Sequence, residues 1–130
     1  IKKGSIIFAK IGAAIFLERK RQSTQDSMVD NNVAAFEINS HEADEDFVYF
    51  LFQFINLSKF SNNSALPSID LNELQKFKVY LPEVEEQKTV SSKLNNFYSE
   101  LELLKKRLSK AKKIKVGMMQ ELMTGRKRII

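Results

Sequence analysis

Cysteine is absent from this chain of 130 residues, which excludes a disulfide framework and any metal site built on thiolates. Its absence predicts a reducing compartment, and we expect the cytoplasm. Histidine occurs once, at His41, among acidic residues before a predicted helix, where a surface or capping role is the simplest interpretation. One histidine leaves carboxylates as the main metal ligands, and these lack the loop spacing of calcium sites. We expect no metal site, no catalytic residue and no cofactor in this chain.

Long hydrophobic runs are missing as well. The longest nearly apolar stretches, residues 11–17 and 47–52, fall short of the roughly 18 residues that a membrane-spanning helix requires. The four glycines do not form a phosphate-cradling loop. We therefore expect neither a membrane partner nor a nucleotide-binding loop. The chain opens with Ile1 and without a signal-peptide pattern, which we interpret as the start of a fragment.

Positive charge is strongly segregated along the chain, although the net charge is only +5. Residues 1–25 contain six basic side chains and one acidic, and residues 101–130 contain ten basic and two acidic. Residues 26–100, in the middle, contain five basic and thirteen acidic side chains. Clustered lysine and arginine bind polyanions by releasing condensed counterions from a nucleic-acid backbone. The pattern predicts nucleic-acid contact at one or both basic regions, with a solvated helix face as the alternative at the C-terminus.

The first half of the chain predicts a small sheet covered by a helix. Residues 5–9 and 13–17 each follow a glycine as short, mainly apolar runs, and residues 33–38 form a third, so we predict three strands. The polar stretch 18–32 predicts a functional loop. From Phe47 onward, apolar residues recur three and four positions apart, which predicts an amphipathic helix that packs on the sheet.

The second half predicts a polar loop, a short helix, a strand and one long helix. Residues 58–68 are rich in serine and asparagine, and Asp70 opens a capping pattern for a short helix. Residues 77–81 alternate between apolar and polar side chains, which predicts a half-buried strand stopped by Pro82. Acidic residues suited to the positive end of a helix dipole then precede a stretch without proline or glycine until Gly117, which predicts the long helix.

The long helix carries an apolar stripe with the spacing of a coiled coil. Its residues recur alternately four and three positions apart, with Lys115 as one polar member. Roughly 40 helical residues at ~1.5 Å each form a rod of ~60 Å, which so small a domain cannot cover. We predict that a second helix packs on this stripe, which we call the seam: Val90, Leu94, Phe97, Leu101, Leu104, Leu108, Ala111, Lys115, Met118 and Leu122.

Two polar segments hold the candidate DNA-binding residues. Arginine and lysine neutralise phosphates, arginine can also pair with guanine, and glutamine can pair with adenine. Serine and asparagine offer donors and acceptors to base edges, but they also form turns, and the basic segment can equally be an ordinary exposed loop. The candidate DNA-contacting residues are Lys10, Arg19, Lys20, Arg21, Gln22, Ser61, Asn62, Asn63 and Ser64.

Two motifs bound the long helix. The first is Leu81-Pro82-Glu83-Val84-Glu85-Glu86-Gln87, and the second runs from Lys115 to Gly125 as Lys-Val-Gly-Met-Met-Gln-Glu-Leu-Met-Thr-Gly. In both motifs the chain resembles the DNA-specificity subunits of type I restriction-modification systems. Met118 and Met123 stand where that family usually has leucine. A weaker similarity lies at Gly4-Ser5-Ile6-Ile7-Phe8, and the three stretches together span nearly the whole chain.

We expect an α+β fold in which a small mixed target recognition domain, residues 1–82, is shortened at its N-terminus. A long coiled-coil helix with a basic tail, residues 83–130, follows it. The resemblance implies a non-catalytic subunit that holds two recognition domains apart on two antiparallel helices. The resemblance further implies that each domain reads one half of a bipartite double-stranded DNA target. It also implies that methyltransferase subunits, which carry S-adenosylmethionine, bind along these helices and that a separate restriction subunit cuts the DNA.

This chain has one recognition domain and one long helix, so either the other half is missing or two copies pair. We expect a homodimer through an antiparallel coiled coil, because the family's helices run that way and parallel pairing would bring two basic C-terminal ends together. Gly117 lowers helix stability, so we expect close packing there against a methyltransferase subunit or a crossing helix, with Met119 and Gln120 beside it. The alternatives are a coiled-coil interaction scaffold that does not read DNA and the specificity tail of a fused restriction-methylation enzyme.

Overall fold

The computed structural model describes residues 1–62 and 64–126. The chain divides into two compact units, Ile1–Ser91 and Ser92–Ile130. The α+β architecture with a long helix is confirmed, while the predicted domain boundary after residue 82 stays a prediction. The elements of the described residues are β1 (Ile6–Ala9), a first 3-10 helix (Ala13–Leu17), β2 (Lys20–Gln22), β3 (Val33–Phe36), α1 (Glu45–Phe54), a second 3-10 helix (Leu57–Phe60), α2 (Leu71–Lys76) and α3 (Val84–Met123).

The sheet is three-stranded and antiparallel, with the strand order β2-β1-β3. Phe8 of β1 lies opposite Lys20 of β2 and opposite Ala34 of β3, and all three are buried. At the neighbouring position, Ile7 lies opposite Arg21, which is exposed. Because successive side chains of a strand point to opposite faces, the sheet directs Lys20 toward the core and Arg21 away from it.

Helix α1 packs aromatic side chains on the buried face of the sheet. The ring of Phe52 lies near those of Phe8 and Phe36, with centroids 5.5 and 5.9 Å apart. Full burial of one large apolar side chain stabilises a fold by about 1.5 to 3 kcal/mol, so the packing of Phe8 and Phe52 contributes to the stability of the first unit. The buried core cluster consists of Ile6, Phe8, Ile15, Ala34, Phe52, Leu57 and Ile69.

The predicted helices are confirmed, and two of them begin at carboxylate caps. The Asp44 carboxylate accepts a hydrogen bond from the N–H of Phe47 at 2.9 Å ahead of α1. The Asp70 carboxylate accepts one from the N–H of Asn72 at 2.9 Å ahead of α2. Such caps satisfy N–H groups that have no partner in a first helical turn. Within the described residues, no helix is both long and apolar enough to span a membrane.

The strand predicted over residues 13–17 is wrong, because these residues form the first 3-10 helix. Gly12 turns the chain with a φ of 86°, a conformation that glycine adopts without steric cost. The N–H of Ile15 then donates to the carbonyl of Gly12, and the N–H of Glu18 donates to the carbonyl of Ile15. Ile15 is the buried residue of this segment, whereas Phe16 is 58% exposed, so the apolar run does not occupy a sheet position.

Two other segments also differ from the secondary structure predicted from the sequence. The polar stretch 18–32 is not one loop, because Lys20–Gln22 pairs with β1 and forms an edge strand. Residues 77–81, predicted as a strand, are not assigned to one, and Phe77 and Val79 are 48% and 42% exposed. A strand requires a partner for its backbone N–H and C=O groups, and alternating side chains alone do not supply one.

Gln87 fastens the start of α3 within the first unit. Its side chain is among the most buried, at 1% exposure. Oε1 accepts a hydrogen bond from the N–H of Asp44 at 2.9 Å, and Nε2 donates to the carbonyl of Pro82 at 2.7 Å. The last residue of the first helix-bounding motif therefore joins the beginning of α3 to the N-cap of α1.

Candidate nucleic-acid interface

The antiparallel pairing of β1 with β2 brings two of the basic residues predicted to contact DNA to one end of the sheet. Lys10 directly follows β1 and Arg19 directly precedes β2, so both lie where β1 ends. Arg19 is exposed and Lys10 is half-buried. The backbone of Lys10 is fixed on both sides, because its N–H donates to the carbonyl of Asn32 at 2.8 Å and its carbonyl accepts from the N–H of Ile69 at 2.9 Å.

The second polar segment lies at this same end. An isolated β-bridge joins Ile11 to Ser68, and the N–H of Gly12 donates to the carbonyl of Pro67 at 2.7 Å. The tertiary structure thus places the loop after the second 3-10 helix beside the end of β1. We call this surface the polar end of the sheet, and it consists of Lys10, Arg19, Ser61, Asn62 and residues 64–68.

Asn62 and Ser64 use their side chains to hold the loop itself. The Asn62 Oδ1 atom accepts hydrogen bonds from the N–H of Ser68 and from the hydroxyl of Ser64, each at 2.9 Å. Its Nδ2 atom donates to the hydroxyl of Ser68 at 3.0 Å, and the hydroxyl of Ser61 donates to the Asn62 carbonyl. These bonds are typical of turn formation. Asn63 lies outside the described residues, and base reading by this loop stays a prediction.

Lys20 lies inside the protein and is already paired. Its ammonium contacts the Glu18 carboxylate at 2.9 Å and donates to the carbonyl of Ile55 at 2.6 Å, with only 3% of the side chain exposed. A buried and paired ammonium does not offer a contact to a phosphate group. We therefore leave Lys20 out of the proposed DNA surface.

Arg19 and Arg21 are the exposed cations on either side of Lys20. Arg21 lies on the face of β2 that points away from the core, opposite Ile7. Gln22 is half-buried and lies opposite Ile6, on the core side of the strand. Of the predicted segment 19–22, the two guanidinium groups are thus the groups most available to a polyanion.

Glu18 holds its charge against partial burial. Burial by itself raises the pKa of the Glu18 carboxyl, but a hydrogen bond from Lys20, N–H groups of Leu57 and Ser58, and the Lys20 charge together lower it below 4.5. The N–H of Leu57 donates to Oε2 at 3.0 Å and that of Ser58 donates to Oε1 at 2.8 Å. Glu18 is therefore a carboxylate fixed by three donors.

The seam and the predicted docking residues lie on α3. The large seam side chains range from 37% exposed at Val90 to 67% at Phe97, apart from half-buried Leu94. Gly117 lies inside the continuous helix, and a Cβ atom added there would meet no atom of the described chain within 4 Å apart from its chain neighbours and the backbone of the same helix. Met119 and Gln120 are exposed. The described residues therefore leave both surfaces uncovered, and their roles stay predictions.

Sequence reasoning missed the structural roles of Glu18 and Gln87. The signal for Glu18 was its isolation as the one acid among the six cations of residues 1–25. The signal for Gln87 was its place at the end of a motif that otherwise supplies helix-start residues. In both cases one partner is a backbone N–H group about 40 residues away, at Leu57 for Glu18 and at Asp44 for Gln87.

The family comparison agrees with this architecture. Residues 1–113 match the type I restriction modification DNA specificity domain. The matched stretch covers the whole first unit and most of α3, including the motif that contains Gln87. The second motif, residues 115–125, lies beyond the matched stretch. A match over most of the chain shows that this protein belongs to the family of type I restriction modification DNA specificity domains.

Proposed function

We propose that this chain is a DNA-specificity subunit, or half of one, that reads one half of a bipartite double-stranded DNA target. The observation that carries the proposal is the family match over residues 1–113. Specificity domains of this family are in general non-catalytic. In the part of the chain that the structure describes, no group of His, Cys, Asp or Glu side chains is arranged to hold a metal ion.

The basic groups around β2 support DNA contact. Arg19 and Arg21 are exposed, and Lys10 lies at the same end of the sheet as Arg19. Contacts to phosphates fix the register of a protein on DNA, and contacts to base edges then distinguish sequences. In this proposal the two arginines and Lys10 supply the phosphate contacts, and the polar end of the sheet faces the DNA.

Helix α3 is the proposed scaffold for the other subunits. Methyltransferase subunits, which carry the S-adenosylmethionine, dock along it, with Gly117, Met119 and Gln120 at the contact. The restriction subunit joins through them. The exposed seam supports a further helix on α3, and we propose that a second copy of this chain provides it in an antiparallel coiled coil.

The DNA-reading function is tested by selection from a pool of random-sequence duplexes. The full chain, together with its methyltransferase subunit, is incubated with the pool, and the retained duplexes are sequenced. One motif should be enriched, and affinity for it should fall steeply with salt, because each phosphate contact releases counterions. The double variant Arg19→Ala and Arg21→Ala should bind more weakly, and its salt slope should be smaller by about 1 for each phosphate that the variant no longer neutralises.

The matched control is the double variant Lys76→Ala and Lys78→Ala, which also removes two exposed positive charges but lies on and just after α2. It should bind the enriched duplex as the parent does. An arginine double variant with unchanged affinity would contradict the assigned surface. Retention of the methyltransferase subunit without any enriched motif would contradict DNA reading and favour the interaction scaffold.

A further inference from the structure

Lys20, which is buried, and Glu18, which is partly buried, form a polar clamp on the connection between α1 and the second 3-10 helix. Lys20 bonds to the carbonyl of Ile55, and Glu18 bonds to the N–H groups of Leu57 and Ser58. The two side chains also contact each other. Leu57 is 1% exposed and belongs to the core cluster, so the clamp is anchored on a segment that packing holds in place.

The backbone of Glu18 is unusual for a residue with a side chain. Its φ of 50° and ψ of 31° lie in the left-handed region, and no other non-glycine residue in the described chain has a positive φ. Residues with a Cβ atom are disfavoured there, and such conformations persist only where the surroundings determine them. The hydrogen bonds to the Glu18 side chain supply that constraint.

Arg19 lies between the two residues of the clamp. It is exposed, whereas Glu18 before it and Lys20 after it are tied to the protein interior. An arginine on a backbone fixed at both neighbours loses less conformational freedom on binding a phosphate than one in a mobile loop. The clamp therefore holds the residues on both sides of Arg19, while the Arg19 side chain itself is exposed.

Stability alone does not account for the clamp. The Lys20 side chain is 3% exposed and that of Glu18 is 29% exposed, so taking these charges out of water offsets part of their attraction, and such a pair is weak evidence for stability. The role that remains is to specify one local conformation. Building on the proposed DNA-reading function, we propose that Glu18 and Lys20 are positioning residues that orient Arg19 for contact with a DNA phosphate.

The test is a double-mutant cycle on the duplex enriched by selection. Lys20→Met keeps a long side chain but removes the ammonium, and Arg19→Ala removes the presented group. Each substitution alone should weaken affinity about tenfold and lower the salt slope by about 1. The double variant should bind no more weakly than either single variant, because both changes remove the same interaction with the phosphate.

Lys76→Met is the matched control, since it also removes one lysine charge but breaks only the exposed pair with Glu73. It should leave both affinity and salt slope unchanged. Should Lys20→Met fail to fold by circular dichroism, Glu18→Gln replaces it in the same cycle. Additive losses in the double variant, or full affinity for Lys20→Met, would show that the clamp is only structural. A parent chain that binds no duplex would instead overturn the proposed function, and the positioning role with it.

Discussion

Buried polar side chains determine how the connections of the first unit are held. Lys20 and Gln87 are each less than 5% exposed, and each donates a hydrogen bond to a backbone carbonyl. An unpaired buried polar group costs about 1 to 3 kcal/mol, so these bonds keep the segments they join in one arrangement. The exposed pair of Lys76 with Glu73 stays within one helix and contributes at most about 0.5 kcal/mol.

The Glu18 carboxylate makes a pH-dependent contribution to stability. Its pKa in the folded protein is lowered from the ordinary 4.5, so its stabilisation is present above that value and is lost as the pH falls through the folded pKa. The free energy of unfolding of the parent should therefore exceed that of Glu18→Gln at neutral pH, and the difference should shrink below pH 4.5. Urea unfolding at a series of pH values measures this difference.

The matched control is Glu73→Gln on α2, where the side chain is 58% exposed. Its unfolding free energy should stay close to that of the parent at neutral pH. If the free energy of unfolding of Glu18→Gln equalled that of the parent at every pH, the carboxylate charge would contribute nothing to the stability of the clamp.

At the scale of elements, the start of α3 depends on one amide side chain. Gln87→Leu leaves the N–H of Asp44 and the carbonyl of Pro82 without their partner inside the protein. We expect the free energy of unfolding to fall by about 1 to 3 kcal/mol, which a lower urea midpoint would report. Gln75→Leu, on the exposed side of α2, makes the same chemical change and should shift the midpoint little. Equal midpoints for the two variants would contradict the anchoring role.

Gly117 lies inside α3, and no contact within the described chain explains a glycine there. The helix continues through it to Met123, although glycine inside a helix costs about 0.5 to 1 kcal/mol relative to alanine. Apart from its chain neighbours and the backbone of its own helix, nothing in the described chain would lie within 4 Å of a Cβ atom at this position. We expect the close contact that would offset this cost to come from another chain, such as a methyltransferase subunit docked on α3.

At the scale of the whole molecule, the exposed seam predicts a symmetric dimer. Leaving large apolar side chains in water is disfavoured by about 1.5 to 3 kcal/mol for each one, so a second copy is expected to cover them. Light scattering at tens of micromolar should give twice the mass of one chain. The double variant Leu101→Asp and Leu104→Asp should give the mass of a monomer, because it places charges in the seam.

Leu103→Asp is the control, since residue 103 is exposed on α3 but lies outside the seam, and its mass should stay that of the dimer. A two-fold dimer presents two identical recognition domains, so the enriched duplex should contain inverted copies of one half-site. A monomeric parent would exclude the coiled-coil dimer and, with it, the symmetric target.

The features that the sequence alone determined are local ones. The helix cap at Asp70 acts within three residues, and the seam repeats every three to four residues along one helix. The strands at residues 6–9 and 33–36 were found because each is a short apolar run. The motifs around Pro82 and after Lys115 carried the family resemblance for the same reason, since each is a contiguous stretch.

Only the tertiary structure decided which of two similar residues is buried and which is exposed. Lys20 and Arg21 are adjacent cations, but pairing with β1 sends one into the core and leaves the other exposed. The Lys20 ammonium donates a hydrogen bond to the carbonyl of Ile55, 35 residues away, and no local sequence pattern predicts this partner. Likewise, residues 13–17 are apolar enough for a strand, but the chain turns at Gly12 and these residues form a 3-10 helix in which Ile15 is buried. Burial of polar groups depends on distant backbone partners, and the fold alone brings those partners within hydrogen-bonding distance.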